Sequence, residues 1–175
     1  MSKGIILVQS RYGTAKIYAD WLAEATGYDM MEAKKAAAAS LQAYDVILLG
    51  GGVYASSISG MGVLKKHIAA LQGKKIAVFA VGAAPHDEPT IAKLRGANLR
   101  GALSGIPLFY CRGAWDMEKL RFLDRTLCRM LSKAAGQDGR LCEPWMRDLL
   151  SAPGQKHDWT DRAYLKPLLR YIGEA

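Results

Sequence analysis

The chain has 175 residues, of which 50% are apolar and 23% are charged, a composition that is ordinary for one soluble globular domain. Its sequence contains no run of the roughly 18 apolar residues that a membrane-spanning helix needs. Three cysteines without a C-x-x-C pair and three scattered histidines favour neither a disulfide framework nor a metal site. The N-terminus leads into a predicted strand without a signal-peptide pattern, so we expect a cytoplasmic protein with a single domain over residues 1–175.

The net charge of +8 is the unusual bulk property of the sequence, and it is spread along the chain rather than gathered in a basic tail. A diffuse excess of this kind gives little support to nucleic-acid binding, so we expect no nucleic-acid partner. It favours anionic ligands and leaves peripheral contact with an anionic membrane surface open.

Five apolar segments alternate with helical patterns along the chain. The predicted strands are residues 3–9, 28–33, 45–50, 74–81 and 106–111. The predicted helices are residues 14–26 with Gly27 as C-cap, 36–43 as a short helical or irregular connection, 62–71, 91–99, 117–133 and 161–172, the last kinked or divided at Pro167. Residues 136–158 have the weakest pattern and are expected to form a surface segment.

The predicted strands are apolar throughout, which indicates that helices cover both faces of the sheet. Strands that alternate with helices in this way predict an α/β fold built on a five-stranded, doubly wound parallel sheet. In such sheets a ligand binds outside the carboxyl ends of the strands. Functional residues are therefore expected in the loops that follow the strands.

The loop S-R-Y-G-T-A, residues 10–15, joins the first predicted strand to the first predicted helix. The N–H groups at the start of a helix favour an anion such as phosphate. Gly13 permits a positive φ, Ser10 and Thr14 offer hydroxyl groups, and Arg11 offers a charge. The loop has neither the Walker spacing nor the G-x-G-x-x-G spacing of dinucleotide folds. The alternative is an ordinary turn in which Ser10 or Thr14 caps the helix.

This loop resembles the [ST]-x-[ST]-G-x-T phosphate signature of the flavodoxin family. Ser10 and Gly13 match it, while Tyr12 replaces a hydroxyl residue and Ala15 replaces the final threonine. The stretches DVILLGGGVYASSISG and AVFAVGAAP are similar to the family's second and third flavin loops, which flank the isoalloxazine ring and meet its polar edge. The stretches YCRGAWDMEKLRFLDRTLCRML and HDWTDRAYLKPLL resemble the branch that contains the menaquinone-dependent protoporphyrinogen dehydrogenases.

The resemblance implies a flavodoxin-like sheet of order 2-1-3-4-5 and FMN as the cofactor. The cofactor-binding residues that it implies are Ser10, Arg11, Tyr12, Gly13, Thr14, Ala15, Gly51, Gly52, Val53, Tyr54, Gly82, Ala83, Ala84, Gly113, Ala114 and Trp115.

Three of the aromatic side chains near these loops have open roles. Tyr54 is a candidate to stack on the flavin or is a plain surface tyrosine. Trp115 is a candidate to line the other side of the flavin ring or a substrate cleft, or it is an aromatic residue that packs on the core. His86 follows the third loop and is either a proton donor near the flavin or a solvated residue. No catalytic residue is assigned.

The first functional hypothesis is an FMN-dependent oxidoreductase that resembles protoporphyrinogen dehydrogenase and uses a quinone acceptor. The alternatives are a flavodoxin-type electron carrier and a flavodoxin-like binding module that has lost FMN, which the substitutions Tyr12 and Ala15 would explain. The spacing of serine, cysteine, histidine and acidic residues supports no nucleophilic hydrolase. The basic helix 117–133 is either a membrane-surface contact or a solvated helix over the core.

Overall fold

A five-stranded parallel sheet forms the centre of the computed structural model, which describes residues 2–116, 126, 130, 144–151 and 156–173. Its strands are β1 (Gly4–Gln9), β2 (Asp29–Glu32), β3 (Val46–Tyr54), β5 (Lys75–Gly82) and β6 (Leu108–Arg112). They lie in the order β2-β1-β3-β5-β6, and the short strand β4 (Ser57–Ile58) pairs antiparallel with β3. Numbered along the five parallel strands alone, this order is 2-1-3-4-5, so the predicted fold class is confirmed.

Helices cover both faces of this sheet. The described helices are α1 (Thr14–Thr26), α2 (Ala38–Leu41), α3 (Met61–His67), α4 (Glu88–Asn98), α5 (Pro144–Ser151) and α6 (Lys166–Ile172), and all of them except α5 contribute residues to the cores on the two faces. Short 3-10 turns occupy Ala33–Lys35, Ile68–Leu71, Gly101–Leu103 and Arg162–Leu165. The described part of the chain contains no helix that is both long enough and apolar enough to cross a membrane.

The strands are apolar at successive positions because the sheet separates two cores, one on each face. Ile5 and Leu7 of β1 belong to the core under α2, α3 and α4, whereas Ile6 and Val8 belong to the core under α1 and α6. Successive side chains of a strand point to opposite faces, so a strand covered on both faces must be apolar at every position.

Helix α1 has the predicted bounds because its sequence specifies both its buried face and its end. Tyr18, Ala19 and Leu22 are fully buried and lie three or four residues apart on one face. Gly27 has φ 69° and donates its N–H to the Ala23 carbonyl at 2.9 Å, which is the glycine C-cap that was predicted.

Strand β3 runs four residues past the predicted end at Gly50, which is a correction to the sequence analysis. A Cβ at Gly50 would collide with the Phe79 ring, and a Cβ at Gly51 would collide with the Ser59 carbonyl. These glycines therefore make room for their neighbours inside the strand and do not end it.

Residues 114–116, to which the sequence analysis assigns neither a helix nor a strand, form a strand. Ala114–Asp116 form β7, which pairs antiparallel with β8 (Lys156–Asp158) in a separate two-stranded sheet. The predicted helix 117–133 lies outside the described residues, apart from residues 126 and 130. The weakly patterned segment 136–158 is described only in part, as α5 and β8. Pro167 divides the last predicted helix as expected, because the 3-10 turn ends at Leu165 and Pro167 lies in the first turn of α6.

Candidate functional site

The predicted site residues lie at one edge of the sheet, where the parallel strands end. Register pairs connect the strand ends to one another: Gln9 with Gly51, Gly52 with Val81, and Gly82 with Arg112. The edge carries a first loop (residues 10–15), a second loop (residues 51–58) and a third loop (residues 82–87). The structure thus brings the three loops together.

The first loop presents the positive end of α1. Ser10 Oγ accepts a hydrogen bond from the Gly13 N–H at 3.0 Å, and Gly13 has φ 92° with open space where a Cβ would stand. The N–H groups of Thr14, Ala15 and Lys16 belong to the first helical turn and have no intrahelical acceptor. The first turn contains no acidic residue and no side chain caps it. The loop therefore has the donors and the polarity that suit a phosphate group.

Two aromatic rings join the first loop to the second. The rings of Tyr12 and Tyr54 meet edge to face at 5.8 Å, and the Arg11 guanidinium lies over the Tyr54 ring at 4.5 Å. Tyr54 is therefore a contact residue of the first loop, and its predicted stacking on a flavin stays a prediction. Ala15 is 1% exposed and packs in the core with Tyr18, so its position offers no hydroxyl group.

A buried asparagine holds the second loop in place. Ala55 and Ser56 form the hairpin turn between β3 and β4 with φ 47° and 65°, which is the left-handed backbone that a two-residue hairpin turn requires. Asn98 at the end of α4 is 6% exposed, donates to the Ser56 carbonyl at 2.8 Å and accepts from the Ile58 N–H at 2.9 Å. Sequence analysis missed Asn98, whose signal was a polar residue on the buried face of a helix.

The end of β6 fixes three successive carbonyl groups of the third loop. The Gly113 N–H donates to the Gly82 carbonyl at 2.7 Å, and the Tyr110 hydroxyl donates to the Ala84 carbonyl at 2.9 Å. Arg112 Nε donates to the Ala83 carbonyl at 3.4 Å. Burial raises the pKa of the Tyr110 phenol, so this hydroxyl remains a donor at neutral pH.

Two glycines allow these loops to approach. A Cβ at Gly82 would lie 3.0 Å from Tyr110 Oη and 3.2 Å from Val53 Cβ, so the second and third loops pack directly on one another. A Cβ at Gly113 would lie 2.9 Å from Val81 Cγ1 and 3.1 Å from Thr14 Cγ2, so the end of β6 packs against the first loop. Larger residues at either position would separate the loops.

Comparison with known proteins gives the family of the chain. The family model for the flavodoxin domain matches residues 5–141, which is well over half of the chain. The chain belongs to the flavodoxin domain family. No curated protein matches it.

Solved structures give distant matches to this flavodoxin domain. The two-electron reduced flavodoxin of Megasphaera elsdenii matches with 18% identity and a TM-score of 0.46, over 61% of this chain and 82% of that one. A flavodoxin from the domain Archaea matches with 14% identity and a TM-score of 0.44, over 86% and 99%. An FMN-dependent NADH-azoreductase from Bacillus anthracis str. Ames Ancestor matches with 9% identity and a TM-score of 0.40, over 89% and 100%.

The remaining candidate residues are Ala114 and Trp115, which follow the end of β6, and His86, which belongs to the third loop. Ala114 is exposed and Trp115 is half-buried in β7, where Trp115 stands opposite His157. His86 is exposed, and its ring stacks on Tyr164 at 4.9 Å. Within the described residues, no cluster of three or more histidine, cysteine or acidic side chains can hold a metal ion.

The described cysteine of this flavodoxin domain is not a reactive thiol. Cys111 is fully buried, and its burial raises the pKa of the thiol far above its usual range. Cys128 and Cys142 lie outside the described residues.

Proposed function

We propose that this flavodoxin domain binds FMN and acts as a redox protein. The observation that carries the proposal is the first loop, where the open first turn of α1 lies beside the Ser10 hydroxyl and the Arg11 side chain. Membership of the flavodoxin domain family supports FMN as the cofactor.

The residues present fit the phosphate end of FMN despite the two departures from the family signature. The Tyr12 ring contacts the Tyr54 ring, and Ala15 is buried in the core. Neither residue therefore offers the short hydroxyl side chain that the family signature has at its position. The N–H groups of residues 14–16, the Ser10 hydroxyl and the Arg11 charge would hold the phosphate instead. Gly13 presents no side chain that would obstruct it.

The other two loops would hold the ring system of the cofactor. FMN supplies the redox chemistry when it is bound, and the protein supplies position and electrostatics. The hydrogen bonds of Asn98 fix the second loop, and those of Tyr110 and Gly113 fix the third. Loops that are fixed before the cofactor binds lose less conformational entropy on binding.

We propose further that the chain is an oxidoreductase that resembles the menaquinone-dependent protoporphyrinogen dehydrogenases. The sequence resemblance at Gly113-Ala114-Trp115 and Asp158-Trp159 supports this class, with a quinone acceptor and a porphyrinogen donor. The charge of +8 favours a carboxylate-bearing substrate and contact with an anionic membrane surface. The location that we propose is the cytoplasm, with peripheral contact to the membrane.

The test of FMN binding is the visible absorbance of the purified protein, followed by titration of the apoprotein with FMN and with riboflavin. We expect tighter binding of FMN than of riboflavin, because only FMN presents a phosphate to the first loop. The variant Gly13→Val should bind FMN about 5- to 150-fold more weakly, since holding a β-branched residue at positive φ in the FMN-binding conformation of the loop costs about 1–3 kcal/mol.

The matched control for this variant is Gly73→Val. Gly73 has φ 80° and open space at its Cβ, as Gly13 does, but it precedes β5 at the opposite edge of the sheet. Equal effects of the two variants on FMN affinity would contradict the phosphate loop. A colourless protein that ignores FMN would favour the binding-module alternative.

A second experiment separates the enzyme from the electron carrier. The FMN-loaded protein is mixed with a protoporphyrinogen and a menaquinone analogue, and the rate is measured against the concentration of each. Saturable turnover supports the oxidoreductase, whereas reduction by a partner protein without turnover of either compound supports the flavodoxin-type carrier.

A further inference from the structure

Arg112 places a positive charge beside the third loop. Its side chain is half-buried, its Nε donates to the Ala83 carbonyl, and its guanidinium lies 4.0 Å from the centre of the Trp159 ring. Among the described residues, no carboxylate lies within ion-pair distance of it. A half-buried cation without a counter-ion is costly, which makes it a candidate for interaction with an anion.

The carboxylates that flank Trp159 along the chain are occupied in local turns. Asp158 Oδ1 accepts hydrogen bonds from the Thr160 N–H and hydroxyl at 2.9 Å and 2.7 Å, and Asp161 Oδ1 accepts from the Ala163 N–H at 2.7 Å. Neither carboxylate forms an ion pair with the Arg112 guanidinium.

The position of this charge is fixed by the surrounding backbone. The Trp159 N–H donates to the Gly113 carbonyl at 3.2 Å, which ties the ring beneath the guanidinium to the end of β6. The Arg112 carbonyl accepts from the Tyr18 hydroxyl at 2.6 Å, which ties the same residue to α1. The guanidinium is thus held between an aromatic face and the third loop rather than free in solvent.

We infer that Arg112 raises the reduction potential of bound FMN, an inference that rests on the proposed function. Reduction of FMN by two electrons with the uptake of one proton leaves one additional negative charge on the flavin. A fixed cation beside the loop that holds the ring favours this reduced form over the neutral ring of the oxidised form. Arg112 therefore tunes the flavin, in contrast to Arg11, which belongs to the first loop and lies over the Tyr54 ring.

The experiment measures the reduction potential of bound FMN against reference dyes during reduction with dithionite. Arg112→Met removes the charge and retains an apolar stem over Trp159. We expect the preference of this variant for reduced over oxidised FMN to fall about tenfold, which is a potential about 30 mV more negative. Arg112→Lys keeps the charge and should keep the potential close to that of the wild type.

The matched control is Arg162→Met. Arg162 also lies over a tryptophan, at 5.2 Å from the Trp21 ring, but it is exposed and forms an ion pair with Glu24 at 2.6 Å. Its replacement should leave the potential unchanged, and a shift equal to that of Arg112→Met would overturn the inference by showing an effect of net charge alone.

The outcomes distinguish this inference from the proposed function. If the wild type binds no FMN, the proposed function fails and the inference fails with it. If FMN binds but Arg112→Met has the wild-type potential, or loses affinity equally for both oxidation states, only the inference is overturned. Arg112→Gln, which is neutral and polar, replaces the methionine variant under the same criteria if that protein does not fold.

Discussion

Replacement of Asn98 by alanine tests how the second loop is held. The Asn98 side chain joins the end of α4 to the turn and the second strand of the hairpin, through the Ser56 carbonyl and the Ile58 N–H. Its amide also donates to the Leu94 carbonyl at 2.9 Å within the helix. Alanine removes these bonds and leaves the Ile58 N–H buried without an acceptor.

The expected loss of stability follows from the two hairpin groups that lose a partner. An orphaned buried polar group costs about 1–3 kcal/mol. The Ser56 carbonyl is only partly buried, and alanine at this helix position regains about 0.6 kcal/mol of helix propensity, so the sum is roughly 2–4 kcal/mol. For a chain of this size, that loss lowers the melting temperature by roughly 10 °C.

The assay is urea unfolding of the apoprotein followed by circular dichroism, in which the midpoint should fall without a change in m-value. Arg95→Ala, an exposed substitution on the same helix, is the control and should change stability by less than about 0.5 kcal/mol. A loss below about 1 kcal/mol in Asn98→Ala would refute the reasoning, because water would then be satisfying the hairpin groups.

Two further predictions concern titratable groups. The first uses a variant with Cys128→Ser and Cys142→Ser, in which Cys111 should react with a thiol reagent at pH 8 only as fast as the protein unfolds. The reason is that the thiol is buried and that burial raises its pKa. Prompt labelling of the folded protein would contradict this prediction. Hydrogen bonds from the Thr90 side chain and N–H hold the pKa of Asp87 below its ordinary 3.8. Its contribution to stability is therefore complete above that value and is lost as the pH falls through the lower folded pKa. Urea unfolding of wild type and Asp87→Ala should show a stability difference at pH 6 that shrinks at pH 2.5, and a difference that is constant with pH would contradict the assignment.

The parallel sheet and most element bounds could be predicted because they depend on local pattern, whereas the strand order came from the family resemblance. Strands of uniformly apolar residues, such as β1, occur where both faces are covered, and Gly27 ended α1 as glycine commonly does. The glycine run of β3 was misread, since glycine ends a strand in some sites and makes room for a neighbour in others. At Gly50 the neighbour is the Phe79 ring, which is distant in sequence. At Gly51 it is the Ser59 carbonyl, which belongs to the turn after β4.

The site could be predicted as a set of loops but not as a set of contacts. The first loop was found because its chemistry lies within six successive residues. Asn98 was missed because its partners, Ser56 and Ile58, lie about 40 residues earlier in the chain. The pairing of Arg112 with Trp159 was missed for the same reason, because no local pattern records a cation placed over a ring 47 residues later.

The two arginines of the site explain why the departures at Tyr12 and Ala15 are compatible with an anionic cofactor. Ala15 removes a hydroxyl group, and Tyr12 replaces a short hydroxyl side chain with a phenol whose ring meets Tyr54. The first turn of α1 nevertheless carries no acid, and the Arg11 guanidinium lies over the Tyr54 ring. A guanidinium can give a phosphate hydrogen bonds together with a positive charge, whereas a hydroxyl gives a hydrogen bond alone. Arg112 adds a second positive charge at the third loop, where no described carboxylate neutralises it. On the proposed function, positive charge takes the place of neutral donors in this site, and the affinity for FMN and its reduction potential would depend on the same electrostatic property.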